Sequence, residues 1–334
     1  MRPLLFSLCV ILASPAIAQS DEDTLIDRVV NDHILSGYTA LATASEALAD
    51  AAQADCTPTS EPLRSAYGTA FDAWVSVSHL RFGPSEVDER GFALAFWPDP
   101  RGSTPKSLAG LIAKADPVVN DAEEFREVSV AARGFYGLEF LLYDDQFINS
   151  DNPEYRCVLI QRVASDIAVT SNAILEDWQT GYAELMLQAG ENDRYRTDAE
   201  ALQQVFTALS TGLEFLTDAR LGRPLGTVGR PQPRRAEARR SGRSLRHVIL
   251  ALEATRALAA HLSGNNAEID ATFVTALDAT EAVQDPVFAS LENAQGRLAV
   301  IELRLAIIEI RKIVGTQLGP MLGIAAGFNS LDGD

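Results

Sequence analysis

Cysteine, histidine and methionine are scarce in this chain: 3, 4 and 3 among 334 residues. So few cysteines exclude a disulfide-dense mini-protein. The histidines, His33, His79, His247 and His261, lie too far apart for an H-E-x-x-H zinc helix. No G-x-S-x-G elbow and no Walker loop occurs, and Gly222, Gly226 and Gly229 are wrongly spaced for a dinucleotide fingerprint. Basic residues are in the minority, 28 against 46 acids, for a net charge of -18. A net anion of this size is poorly suited to nucleic acid or to an anionic bilayer. Beyond the N-terminus no run of 18 uninterrupted apolar residues appears, so the mature chain is expected to have no membrane span. What is abundant is apolar: 47% hydrophobic and 22% charged residues exclude a disordered chain. At about 150 residues per domain the length predicts two domains.

The first 18 residues read as an export signal. Arg2 gives a basic start, Leu4 to Ala13 an apolar run, and Ala16-Ile17-Ala18 a small-x-small cleavage signature before Gln19. The apolar run is about half of the roughly 20 residues that a spanning helix needs. Cys9 follows Leu8, where a lipoprotein signal requires a small residue, so a soluble periplasmic protein is expected. Cleavage between Ala18 and Gln19 leaves 27 basic residues against 46 acids, or -19. It also leaves only Cys56 and Cys157, and two thiols in an oxidising compartment most simply form one disulfide. Closing a loop of about 100 residues contributes roughly 4 to 5 kcal/mol in the chain-entropy model. Two buried free thiols are the alternative.

The mature sequence is rich in Ala, Leu and Glu and shows no strand-like alternation, so an all-α fold is expected. In the first helix, about residues 22–54, Ile26, Val30, Ile34, Leu41 and Leu48 form one stripe. A second runs over about 62–82, with His79 inside it on the face of Asp72, and stops at Gly83-Pro84. The connection Ser85 to Thr104 carries Phe92, Phe96 and Trp97, and an aromatic loop of that length is expected to be packed and functional. Helices then cover about 122–143 and 153–187, and the polar gap Gln188 to Asn192 marks the boundary between domains 19–190 and 191–334. In the second half helices are expected near 198–219, 242–262, 268–283 and 286–318, the last with Leu291, Leu298, Ile301, Leu305 and Ile308 as its apolar stripe. The segment 220–246 holds nine Arg and one acid, Glu237. It reads either as an anion or partner contact, or as a loop neutralised by acidic helices beside it. Gly137-Leu138-Glu139-Phe140-Leu141 recurs as Gly212-Leu213-Glu214-Phe215-Leu216, an echo suggesting internal duplication of two helical bundles.

Gly134-Phe135-Tyr136-Gly137-Leu138-Glu139, followed by an apolar run, resembles the signature G-x-H-x-x-E helix of the imelysin family, classed among metallopeptidases as M75. The His33-Ile34-Leu35-Ser36-Gly37-Tyr38 stretch, the Leu80-Arg81-Phe82-Gly83-Pro84 corner and the Arg220 to Gly226 loop agree with it in character. The resemblance implies two helical bundles and a metal site on the signature helix, at the domain interface, built from Glu139 and position 136. Residues three apart on a helix share a face, which is how an imidazole and a carboxylate converge on one cation. Here Tyr136 replaces the histidine. A phenol with a pKa near 10 is a poor zinc ligand, whereas phenolate can ligate ferric iron. The resemblance therefore implies a non-catalytic exported protein of iron binding or uptake, working with an envelope iron-uptake component. Tyr136 and Glu139 are its expected metal ligands and His33, His79 and Glu214 candidate contributors, against a buried aromatic hydrogen-bonded through its hydroxyl for Tyr136 and satisfied core or boundary histidines for His33 and His79. A metallopeptidase using Glu139, or a metal-free helical interaction module of the envelope, are the alternatives. For Glu139 itself, an ion pair with a neighbouring arginine such as Arg133 is the competing role.

Overall fold

The computed structural model describes residues 24–324; the expected export signal and the expected Ala18–Gln19 cleavage site lie outside them. Among the described residues there are helices and turns and no named strand, only one isolated bridge between Thr227 and Arg230. The fold is all-α, as expected.

Helix α1, residues 25–54, starts at a capping box. The Thr24 hydroxyl accepts the Asp27 N–H, and the Asp27 carboxylate takes the Thr24 N–H at 2.8 Å. A π-helical stretch, Val29–Leu35, interrupts α1 and carries His33. All five expected stripe residues are buried: Ile26, Val30, Ile34, Leu41 and Leu48. Helix α2, Glu61–Val77, ends earlier than expected, so His79 sits in the following turn instead of on the helix. There the Tyr38 hydroxyl donates to the Leu80 carbonyl at 3.1 Å. Gly83, with φ of +61°, lies so close to the Tyr182 ring that a Cβ would sit 2.6 Å from it. After α3, Ser103–Lys114, the single helix expected over 122–143 is broken into Ala122–Arg126, a 3₁₀ turn Val130–Ala132, and α4, Gly134–Tyr143. Gly134 forces the break: its φ is +65°, and its backbone approaches the Ala93 carbonyl so closely that a Cβ would lie 2.2 Å from the oxygen.

Helix α5, Pro153–Leu187, is long and apolar enough by composition to cross a membrane, but 56% of its most apolar window is buried within the protein. Cys157 in its first turns is bonded to Cys56 just beyond α1, closing a sequence separation of 101. The expected boundary is a turn in which the Gly190 N–H donates to the Tyr195 carbonyl. Helices α6 (residues 198–225), α7 (Ser244–Ser263), α8 (Ala267–Glu281) and α9 (residues 294–321) follow.

Helix α9 departs from expectation twice. It begins at Ala294, after a 3₁₀ turn Ala289–Glu292, because Asn293 caps it through Gly296. Its core-facing residues are Val300, Leu303, Ile307 and Ile310, whereas Leu298 and Leu305 of the expected stripe are 54% and 58% exposed. The two apolar stripes compete at similar spacing, and packing against α8 selects the second. Helices α1, α2 and α5 form the first bundle, α7, α8 and α9 the second, and α2 packs on α7 across the seam. The buried apolar side chains are continuous across that seam, from Ile26 to Ile324. The echoed pentapeptides occupy unlike settings. Glu139 is buried in α4, whereas Glu214, on α6 just before a π-helical stretch at Leu216–Leu221, is half exposed and lies 3.6 Å from Arg311.

Candidate functional site at the seam

Because α4 starts at Gly134 against the 93–94 backbone, Tyr136 and Glu139 both point toward the arginine-rich segment that returns across the seam. The Tyr136 hydroxyl donates to Glu237 Oε1. Glu237 Oε2 accepts from Arg220 Nε at 2.7 Å and lies 3.3 Å from His247 Nδ1. Arg220 reaches inward from the π-helical stretch of α6, where the altered register re-aims side chains. Tyr136, Arg220, Glu237 and His247 are each no more than 6% exposed. Burial pushes the Glu237 carboxyl upward, but the Arg220 charge and His247 outweigh it and hold the group well below the usual carboxylate range. Burial, and then the Glu237 charge, push the Tyr136 phenol well above its ordinary value. The phenol is a held donor.

Glu139 accepts two hydrogen bonds at Oε1, from the Ser241 N–H at 2.9 Å and the Ser241 hydroxyl at 2.8 Å. Arg133, a candidate partner for it, instead makes a bidentate pair with Asp166 at 2.9 and 3.0 Å. Asp72 pairs with Arg243 and Arg246, so the loop reading in which arginines meet acids across the fold holds for part of the segment. His33 and His79 meet, with Nε2 atoms 2.9 Å apart and the His261 ring centroid 6.2 Å from that of His33. Burial lowers both imidazoles, His33 to about 4 and His79 well below its ordinary value, with His261 and then His33 and Arg220 adding to it. Glu214 stands apart, with Arg311.

Two cavities flank Tyr136 and Trp97. One, about 480 Å³, is walled by Trp74, Phe92, Trp97 and Phe215 over a floor of His79, Tyr136, Arg220 and Glu237. The other, about 450 Å³, is lined by Glu139, Phe140, Arg223, Arg234, Arg235 and Arg240. Trp97 stacks on Tyr136 with centroids 6.3 Å apart, so the aromatic connection is packed at the site in part, whereas its Phe92 is 46% exposed.

Sequence reasoning missed Arg220, Glu237 and His247 as site residues. A signal was present for Glu237, the single acid among nine arginines. The donor set does not fit a directly bound iron ion. Tyr136 spends its proton on Glu237, Glu139 is turned to Ser241, and arginines line the same wall. Among the described residues no group of three or more His, Cys, Asp or Glu side chains could hold a metal ion.

The family profile described as Imelysin (Peptidase_M75) matches residues 34–314. A curated relative, iron-regulated protein A of Synechococcus elongatus, is 23% identical over 321 residues, spanning 89% of this chain and 85% of its own length. The crystal structure of an imelysin-like protein from Psychrobacter arcticum superposes with a TM-score of 0.75 at 23% identity, over 91% of this chain and 96% of that one. That of an iron-regulated protein A precursor from Parabacteroides distasonis gives 0.64 at 14% identity, over 86% and 93%. With its signature helix at the seam and the profile covering most of its length, the chain belongs to the imelysin family.

Proposed function

We propose that the chain is an exported, non-catalytic binding protein of an iron-linked process, with its ligand site in the cavities around Tyr136 and Trp97. The observation that carries the reading is the buried Tyr136–Glu237–Arg220 array at the floor of an aromatic-walled cavity on the family's signature helix. A concave apolar site with a few converging polar groups fits recognition of a small ligand. The similarity to iron-regulated protein A supports the link to iron. The export signature before Gln19 supports a periplasmic location, and an envelope iron-uptake component is the partner class that this location implies. The family profile's description favours a peptidase reading, and the phenol at position 136, which stands in the signature histidine's place and is committed to Glu237, weighs against it.

Deletion of the gene from the source organism tests the reading. Growth should fall under iron limitation and recover with the wild-type chain, but not with Thr211→Trp, whose indole fills the aromatic-walled cavity. Equal growth of deletion and parent at every iron level contradicts it. The mature N-terminus, read by mass spectrometry of the periplasmic fraction, should be Gln19.

A further inference from the structure

The arginine-lined cavity gathers three arginines that the protein leaves outside any ion pair among the described residues. In the 220–246 segment the ion pairs are made by Arg220, Arg240, Arg243 and Arg246, with Glu237, Asp144 and Asp72. Arg223, Arg234 and Arg235 take part in none of the ion pairs among the described residues, yet all three line one cavity. Arg223 Nε is buried without a hydrogen-bond partner, and its guanidinium lies 5.8 Å from the centroid of the Trp97 ring. Burial and the neighbouring Arg235 both disfavour its charge. The two carboxylates that line the cavity, Asp99 and Glu139, are turned to uncharged hydrogen-bond donors, and those beyond it are paired. Asp99 accepts the Ser103 and Thr104 N–H groups at 2.9 and 2.8 Å. Glu139 faces Ser241, while Glu214 and Asp218, on the other side of Arg223, face Arg304 and Arg311. A half-buried guanidinium beside a second one, neither of them in an ion pair, is costly unless an anion joins them.

We infer that this cavity binds a small multivalent carboxylate anion, and that iron reaches the protein inside such an anion, as a chelate. The guanidinium fork of Arg223 matches a carboxylate, the exposed Arg234 and Arg235 reach further ones, and Trp97 covers one face. An ion already held by carboxylate and hydroxyl oxygens needs no ligand from the protein, which agrees with Tyr136 and Glu139 being committed elsewhere. The anion site stands on the arginines alone; only the metal in it rests on the iron-linked reading.

Calorimetric titration of the mature chain with citrate, ferric citrate and pyrophosphate tests this at two salt concentrations. Saturable binding of ferric citrate at one site, weakening with salt, is expected. Arg223→Gln with Arg235→Gln should weaken it by at least about tenfold, because a forked charge-assisted contact is removed. Arg230→Gln with Arg246→Gln, an equal charge change in the same segment, should leave it within about twofold, since exposed charges away from the site act only through the screened field. Matching thermal melts check that both double variants fold. No saturable binding of either citrate form, or equal loss in both double variants, overturns the site. Tighter binding of pyrophosphate than of citrate overturns the carboxylate assignment. Citrate bound equally well with and without iron upholds the anion site and overturns the link to iron.

Discussion

Tyr136 on the signature helix donates its phenolic proton to Glu237, 101 residues away in the arginine-rich segment, and this bond joins the two halves of the chain at the floor of the cavity. Glu237 also answers Arg220, so the two partners are unequal in their consequences. Tyr136→Phe removes one hydrogen bond and leaves the ion pair, and should cost about 1 to 2 kcal/mol. Glu237→Ala strands a buried guanidinium and should cost about 3 to 5 kcal/mol. Urea unfolding of both variants checks the order, which equal losses would contradict.

The histidine pair predicts acid sensitivity. His33 has a folded-state pKa of about 4 against 6.5 for the free side chain, so the unfolded chain takes up its proton first as pH falls. Stability from this group is complete above pH 6.5 and is lost progressively toward about 4, by on the order of 3 kcal/mol. His79, shifted in the same direction, extends the loss to lower pH. Denaturant midpoints between pH 7 and 4 should fall, and His33→Gln should flatten that slope. A slope unchanged by His33→Gln would remove these imidazoles from the acid response.

The Cys56–Cys157 bond closes a long loop within the first bundle. Replacing both cysteines by serine should cost about 4 to 5 kcal/mol in the chain-entropy model, less any strain relieved. The oxidised mature protein should show no reactive thiol after unfolding, and its melting temperature should drop when a reductant is added. Two titratable thiols in the unfolded, unreduced protein would contradict the bond.

Gly134 is the glycine that the signature helix needs. Gly134→Ala places a methyl group against the Ala93 carbonyl at a positive φ, and should cost at least about 2 kcal/mol while disturbing the cavity that Tyr136 floors. A fully stable, ligand-competent variant would show that the helix entry tolerates a side chain.

Helices were readable where periodicity was unambiguous. The α1 stripe is buried residue for residue, and the cysteine pair followed from composition and the export signature alone. Periodicity failed in α9, where two stripes of like spacing exist and only contact with α8 decides between them. It failed again over 122–143, because a helical pattern does not reveal that the Gly134 backbone must pass against residue 93. In the site, Tyr136 and Glu139 were legible through the signature spacing. Their partners were not, since Glu237 and Ser241 lie about a hundred residues away. His33 and His79 were individually visible, and their meeting depends on a turn after α2 where a longer helix was expected.

Equilibrium dialysis of ferric citrate against the mature chain, with the visible absorption spectrum of the protein compartment as readout, bears most directly on the claim that the seam holds an iron-linked ligand without ligating iron through Tyr136. Iron should accumulate with the protein while the spectrum stays that of ferric citrate, because the phenol keeps its proton against Glu237. A new phenolate-to-iron band that disappears in Tyr136→Phe, or no accumulation of iron at all, would contradict it.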